Sequence, residues 1–525
     1  FEERFTPDTE AVKRSAENFE NVIYPTVRRY FGDEQSPGVD GDVHLYIVHA
    51  YDLGQSVAGY YMGDSELPIE VSPTSNEHQM FFINLDAMAG DIGTDYYDSV
   101  LAHEFEHMIR ANIDRNEPGW VDEGMAELAA SLATPEGFGI GFVPDFMRLP
   151  GTQLNNWNEI EDASPNYGGS YLFAAYFLQR FGENALRLLT DNQLDGFEAF
   201  TDTLRQLNAL DPVTGKIMTS DELFADWIVA NLLNDPTIDG PRFGYTNIKA
   251  TLPKPRIAKM VLDKPAKLKL SQFGTTYFTL DDLGQYTLTV KGTPTVKVIP
   301  ADAENGHMFW WSNRGEEMDT RLTHEFDLTS VSTATLQFRT WFDIEDGWDF
   351  GYVVVSIDGG KTWTTLQLPA GTEGAEENNF YGSGYTGQSS GWIDQQIDLS
   401  TYAGEKILLR FEYISDAAIN NPGFAIDDIR IPEIGYFSDA ETDDGGWLAE
   451  GWVRMDNILP QYYLIQKLTA GKTTTVERLL TAEDGVSGSW EFEIGGDVSS
   501  VSFTLSGLTE FTTEAASLTY SVETR

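Results

Sequence analysis

The sequence predicts a multidomain chain of mixed class, an α+β domain followed by all-β domains, and three observations lead there. At 525 residues it exceeds what one hydrophobic core organises, and a prior of roughly 100–200 residues per domain gives three or four. Hydrophobic periods are mixed in the first half and almost wholly of strand type in the second. The change falls at Leu252-Pro253-Lys254-Pro255, where two prolines discourage continuation of helix or sheet.

In the first half, residues 8 to 31 carry helical spacing through Val12, Ala16, Phe19 and Val22, with Pro25 expected to bend or end the run. Residues 43–48 and 80–84 read as buried strands, and 56–61 as a further one. A helix is expected over about 96–112, with Asp91 and Asp95 near its positive end. A turn through 114–117 leads to Pro118, suited to a first helical turn, and a second helix to about 131 or 132. Further helices are expected at 168–181, 184–191, 196–207 and 219–234, the last opened by a Thr219-x-x-Glu222 capping box. From 256 onward short β-type runs alternate with Gly, Asp and Asn turns, a spacing that argues for sandwiches or jelly rolls. Residues 349–363 look like a hairpin, and a break near 432–435 sets off a last β domain.

Composition narrows the function. With 83 acidic against 34 basic residues and a net charge of −49, the surface opposes nucleic acids and anionic membranes and offers oxygen ligands for calcium. No cysteine is present, which excludes thiolate metal sites and leaves imidazole and carboxylate. No apolar run is long enough to span a bilayer. Beginning at Phe1 without a charged-then-apolar leader, the sequence reads as a mature or trimmed chain.

Two of only seven histidines fall in the pentapeptide His103-Glu104-Phe105-Glu106-His107. On a helix, positions i and i+4 share a face, so both imidazoles can reach one ion. Periodicity does not choose between the glutamates, which lie about 80° to either side of the mean histidine direction. The mechanics of the His-Glu-x-x-His motif favour Glu104 as the base and leave Glu106 as a solvated or supporting carboxylate. Glu123 is the candidate third ligand, about one turn into a helix that a short connection folds back beside the first; Asp122 is expected to point about 100° away. Glu127, one turn further, could hold the outer nitrogen of His103 or His107. Two histidines and one glutamate form the open set that leaves room for a water.

The pentapeptide followed by Trp120-Val121-Asp122-Glu123-Gly124-Met125-Ala126-Glu127 resembles the gluzincin metallopeptidases, and its short spacing is most similar to the hyicolysin family. The resemblance implies a gluzincin-type catalytic domain, a small sheet plus a helical subdomain, with His103, His107 and Glu123 as zinc ligands and Glu104 as general base. The interval from His107 to Glu123 is shorter than in thermolysin-like enzymes and aminopeptidases. Metzincins match poorly, since Ile113 and Arg110 stand where their third histidine and glycine would fall. No histidine lies between 107 and 307, so a histidine oxyanion donor is missing downstream; Asn166-Tyr167-Gly168-Gly169-Ser170-Tyr171 is similar to the aminopeptidase segment that carries a tyrosine donor, pointing to Tyr167 and, second, Tyr171. In such peptidases an edge strand beside the metal binds the substrate backbone, a role expected near 76–84.

The β half resembles the tail of immune inhibitor A peptidases, with a MAM-like jelly roll. The resemblance rests on Phe309-Trp310-Trp311-Ser312-Asn313, Thr340-Trp341, Trp348 to Val353, Asp358 to Trp363 and Phe424 to Ile429. It implies structural calcium, with Asp319, Glu345, Asp346, Asp427 and Asp428 as candidate ligands, and cell-surface or glycan attachment through the β domains. The domains expected are therefore 1–252, the peptidase; 253–304, a β-rich connection open to being part of the jelly roll; 305–432, the jelly roll; and 433–525, a C-terminal β-sandwich. The function expected is a secreted zinc endopeptidase acting on peptides or proteins, outside the cell or at its surface. A zinc aminopeptidase is the nearest rival, although no Gly-x-Met-Glu-Asn-like segment is present to bind a substrate amine; an inactive adhesin is the other.

Overall fold

The computed structural model describes the chain except for residues 55–56, 135–138, 158–162, 304–305, 373–379 and 417–418, so Ser56 of the expected strand lies outside the described residues. The first domain opens with α1 (Thr9–Asn18) and α2 (Tyr24–Phe31), joined by a π-helical turn over Phe19–Ile23. Pro25 does not end the run: helical residues continue from Thr9 to Phe31, and the π-helical turn stands just before the proline, where an amide donor is lost. A three-stranded sheet follows, built from β1 (Tyr46–Ala50), β2 (Gly59–Tyr61) and β3 (Met80–Asn84), in the order β1-β3-β2. Because β3 is central, the expected edge strand near 76–84 is corrected: the edge beside the site is β2.

The helices are α3 (Leu85–Met88), α4 (Asp95–Ile113), α5 (Gly119–Ala133), α6 (Gly139–Arg148), α7 (Ser164–Phe181), α8 (Glu183–Thr190), α9 (Gly196–Gln206) and α10 (Ser220–Leu233). Helix α4 starts where Thr94 accepts a hydrogen bond from the Tyr97 amide, with Asp95 and Asp98 in its first turn. Its inner face, Leu101, Phe105, Met108 and Ile109, is buried. Phe105 alone, fully buried and stacked on Tyr24, contributes about 1.5–3 kcal/mol. The capping box of Thr219 and Glu222 is present on α10.

Two glycines set how closely the helices approach. A Cβ at Gly124 in α5 would lie 2.9 Å from the Ser170 carbonyl oxygen of α7, and one at Gly168 would lie 2.4 Å from the Phe142 oxygen of α6. Both contacts exclude a side chain, so α5, α6 and α7 pack nearly backbone to backbone.

The β half is divided differently from the sequential split expected. One sandwich is built from Ile257–Lys259, Ala266–Leu270, Thr276–Leu280 and Gly284–Gly292 paired with strands between Tyr463 and Thr524. Thr276–Leu280 runs antiparallel to Val498–Gly507, and Gly284–Gly292 lies between Ser487–Ile494 and Ala516–Thr524. The jelly roll is inserted into this sandwich, through a neck where Thr295–Val296 pairs with Leu459–Pro460. Its two antiparallel sheets run from Phe309–Trp311 to Val453–Met455. Segment 253–292 therefore belongs with the C-terminal sandwich, and 436–455 with the jelly roll. Trp310, Trp311 and Trp341 are buried core residues, whereas Trp348 is 46% exposed. No helix among the described residues is long and apolar enough to cross a membrane.

Candidate metal centre

Helices α4 and α5 lie side by side and bring the sequence-predicted ligands together. His103 Nε2 and His107 Nε2 are 3.0 Å apart, and Glu123 Oε2 lies 3.2 Å from the first and 3.8 Å from the second. Ligand atoms around a tetrahedral zinc are spaced by about 3.3 Å, as Zn–N distances of about 2.0–2.1 Å require. Glu123 Oε2 is buried without a hydrogen-bond partner, so the chain provides a converging set with an orphaned oxygen in its midst. These residues fit zinc.

The outer nitrogens are held as well. His103 Nδ1 is 3.3 Å from Glu127 Oε1, and His107 Nδ1 is 2.8 Å from Asp122 Oδ2. Of the two histidines named for it, Glu127 lies beside His103. Asp122 is the functional residue that sequence reading passed over. It does diverge from Glu123, but toward the far nitrogen of His107. Burial works against charge on the imidazoles, yet Glu123 and Glu127 hold His103 well above its ordinary pKa, and Asp122 lifts His107 to about 10. The carboxylates draw positive charge between the rings, a demand that a divalent cation meets.

The structure also separates the two glutamates of the pentapeptide. Glu104 lines a cleft of about 720 Å³ together with both histidines, Glu123 and Tyr167. Strand β2 passes over it, and a Cβ at Gly59 would come within 3.1 Å of Glu104 Oε1. Burial raises the Glu104 carboxyl above its usual pKa, with both imidazoles opposing. Glu106 does not line the cleft: it is fully buried instead of solvated, groups at ligand distance with His107 and Asp122, and is pushed up to about 7 by burial.

Tyr167 sits in the first turns of α7, braced by Phe142 at 5.0 Å and Trp157 at 4.8 Å between ring centroids. The charge of Glu123 and then burial hold its phenol well above the ordinary value, so it keeps its proton as a donor. Tyr171 is buried on Ser131, 3.0 Å between hydroxyl oxygens, and does not line the cleft. The opposite wall of the cleft comes from the jelly roll, including Glu316, Met318, Trp348 and Asp416.

The calcium candidates do not converge. Glu345 approaches Asp349 and Asp416, two acids the sequence did not single out, within ligand distance of one another. Asp319 pairs with Arg321 and Asp428 with Arg430, while Asp346 and Asp427 join no such group among the described residues. Of the remaining histidines, His49 is buried against Tyr97 and His44 is exposed beside Asp42, the packing and surface roles that fit ordinary residues.

By sequence the chain resembles metalloproteases and proteins carrying an immune inhibitor A-like β region. Residues 275–457 match the family described as Immune inhibitor A-like, MAM domain. The chain is 29% identical over 204 residues to pre-pro-metalloprotease PrtV of Vibrio cholerae serotype O1, covering 37% of this chain and 20% of that protein. It is 32% identical over 143 residues to immune inhibitor A of Bacillus thuringiensis subsp. alesti, covering 27% and 19%. It is 30% identical over 182 residues to neutral metalloprotease ShpI of Staphylococcus hyicus, covering 31% and 41%. The matched stretch spans less than half the length of each of these relatives.

Proposed function

We propose that this chain is a zinc-dependent endopeptidase that works outside the cell, with His103, His107 and Glu123 as ligands, Glu104 as general base and Tyr167 as oxyanion donor. The observation that carries the reading is the converging Nε2, Nε2 and Oε2 set, with each outer imidazole nitrogen backed by a carboxylate. Zinc held there would activate a water and polarise the scissile carbonyl. Glu104, at the cleft floor and raised in pKa by burial, takes a proton and delivers it to the leaving amine. Tyr167 donates to the oxygen that becomes negative. Strand β2, an edge of its sheet among the described residues and close to Glu104, offers backbone groups to an extended peptide.

Names of the relatives support metalloprotease activity, and peptides or proteins are the substrates proposed. Extracellular action rests on the acidic, cysteine-free composition. Calcium is carried forward for the Glu345, Asp349 and Asp416 group alone; surface or glycan attachment remains a proposal for the outer faces of the β domains.

Glu104→Gln should leave zinc affinity near the wild-type value and lower kcat by about 10²–10⁴, the range for loss of a general base. Tyr167→Phe should lower kcat about 10²-fold, as for removal of one oxyanion donor. Full activity in Glu104→Gln would overturn the mechanism.

A further inference from the structure

Helix α5 supplies Asp122, Glu123 and Glu127, yet it has no side-chain cap of its own. Its N-cap is Pro118, which has no side chain to accept a hydrogen bond. The Val121 and Asp122 amides return to the Pro118 carbonyl at 2.8 and 3.2 Å. The Gly119 amide is taken instead by Glu316 Oε2, at 2.6 Å, from the jelly roll 197 residues further along the chain.

Glu316 is itself held in place from both sides. Two residues before it, Arg314 donates to Asn156 Oδ1 of the first domain and to Asn420 Oδ1 of the jelly roll, each at 2.6 Å. The Asn420 amide returns a hydrogen bond to the Trp157 carbonyl at 2.7 Å. Next to it, the Glu317 amide donates to the Asp416 carbonyl at 2.6 Å. The carboxylate is thus delivered by a loop braced across the domain boundary.

We propose that Glu316 is a positioning residue of the metal centre, capping α5 from the jelly roll and so fixing Asp122 and Glu123. This rests on the zinc reading above. A carboxylate at a helix N-terminus completes an orphan amide and complements the helix dipole. Glu123 stands four residues past Gly119, about 6 Å along the axis, so fraying of this turn displaces the ligand and the residue that holds His107. The inserted β region is then part of the catalytic apparatus, beyond any role in attachment.

The test uses the full chain as wild type, Glu316→Ala and Glu316→Gln, with zinc affinity measured by competition against a chromogenic chelator, and kcat and KM on a peptide substrate. Glu316→Ala should bind zinc about tenfold more weakly, the lower end for loss of support to a ligand, and lose kcat to a similar degree with KM near the wild-type value. Glu316→Gln, which keeps an acceptor oxygen for Gly119, should recover most of both. Unchanged zinc affinity and kcat in Glu316→Ala would overturn the proposal, as would a Gln variant as impaired as the Ala variant. An effect confined to KM would also overturn it, because it would make Glu316 a substrate contact. A wild type that binds no zinc would remove the zinc reading itself, a result distinct from equal binding by all three proteins.

Discussion

Asp122→Ala should weaken zinc binding by about 10–100-fold, the range for loss of a residue that orients a metal-binding histidine. Asp122 Oδ2 lies 2.8 Å from His107 Nδ1, a charge-assisted contact whose removal costs about 1.5–3 kcal/mol, or about 10–150-fold in affinity at 1.4 kcal/mol per decade. The side chain is 28% exposed, so water can enter the vacated place and the lower half of that range is expected. Asp122→Asn keeps an oxygen acceptor without the charge and should lose only about 5–10-fold, as for a neutral hydrogen bond. The assay is a competition titration of metal-stripped protein with a fluorescent zinc chelator at neutral pH, with circular dichroism as a check on folding. Binding by Asp122→Ala within twofold of wild type would refute the argument that the far nitrogen of His107 needs this carboxylate.

The other predictions concern packing, buried charge and pH. Gly124→Ala places a Cβ 2.9 Å from the Ser170 oxygen and should destabilise by about 1–3 kcal/mol through overpacking; a Tm equal to wild type would show that α5 and α7 can move apart freely. Arg478→Met removes the cation paired with Asp211 at 3.0 Å, fully buried, while Asp226 keeps Arg242 and Arg180, and should cost about 3 kcal/mol, the low end for breaking a buried pair, read by denaturant unfolding; a loss below about 1 kcal/mol would contradict this. Burial holds His49 down at about 4, with its Ile47 carbonyl contact opposing. Its folded pKa lies below the unfolded value of about 6.5, so the unfolded chain binds more protons between pH 4 and 6.5 and stability falls as pH drops through that window. His49→Gln should therefore flatten the acid-side decline relative to wild type by up to about 3 kcal/mol, and superimposable pH profiles would contradict the assignment. Calcium should raise the Tm of the wild type and not of Asp349→Asn if the Glu345, Asp349 and Asp416 group holds it; an equal shift in both proteins would place calcium elsewhere.

Local signals carried much of the first domain into view. Pro118 and the Thr219-x-x-Glu222 capping box signalled two of the helix starts, and the spacing of His103 and His107 puts both imidazoles on one face of α4. What periodicity could not settle was tertiary. Glu104 and Glu106 are symmetric about the histidines on an isolated helix; the passage of β2 over one of them makes Glu104 the cleft residue. Asp122 pointed away from Glu123 as expected, but an imidazole has two nitrogens, and the direction away from the Nε2 pair is where His107 Nδ1 lies. The nesting of the jelly roll inside the sandwich was hidden because strands such as Thr276–Leu280 and Val498–Gly507 pair across a long stretch of sequence, Leu280 with Val501, with no turn between them to announce it. The prolines at 294 and 460, one on each side of the neck, were the available signal. The link from Glu316 to Gly119 is equally long in range and left no local pattern.

The account stands most directly on cleavage of a mixed peptide library by the purified chain before metal removal, after chelation, and after return of one equivalent of zinc. It predicts internal cleavage that chelation abolishes and one zinc per chain restores. Cleavage that persists without metal, or none with His103, His107 and Glu123 loaded, would contradict it.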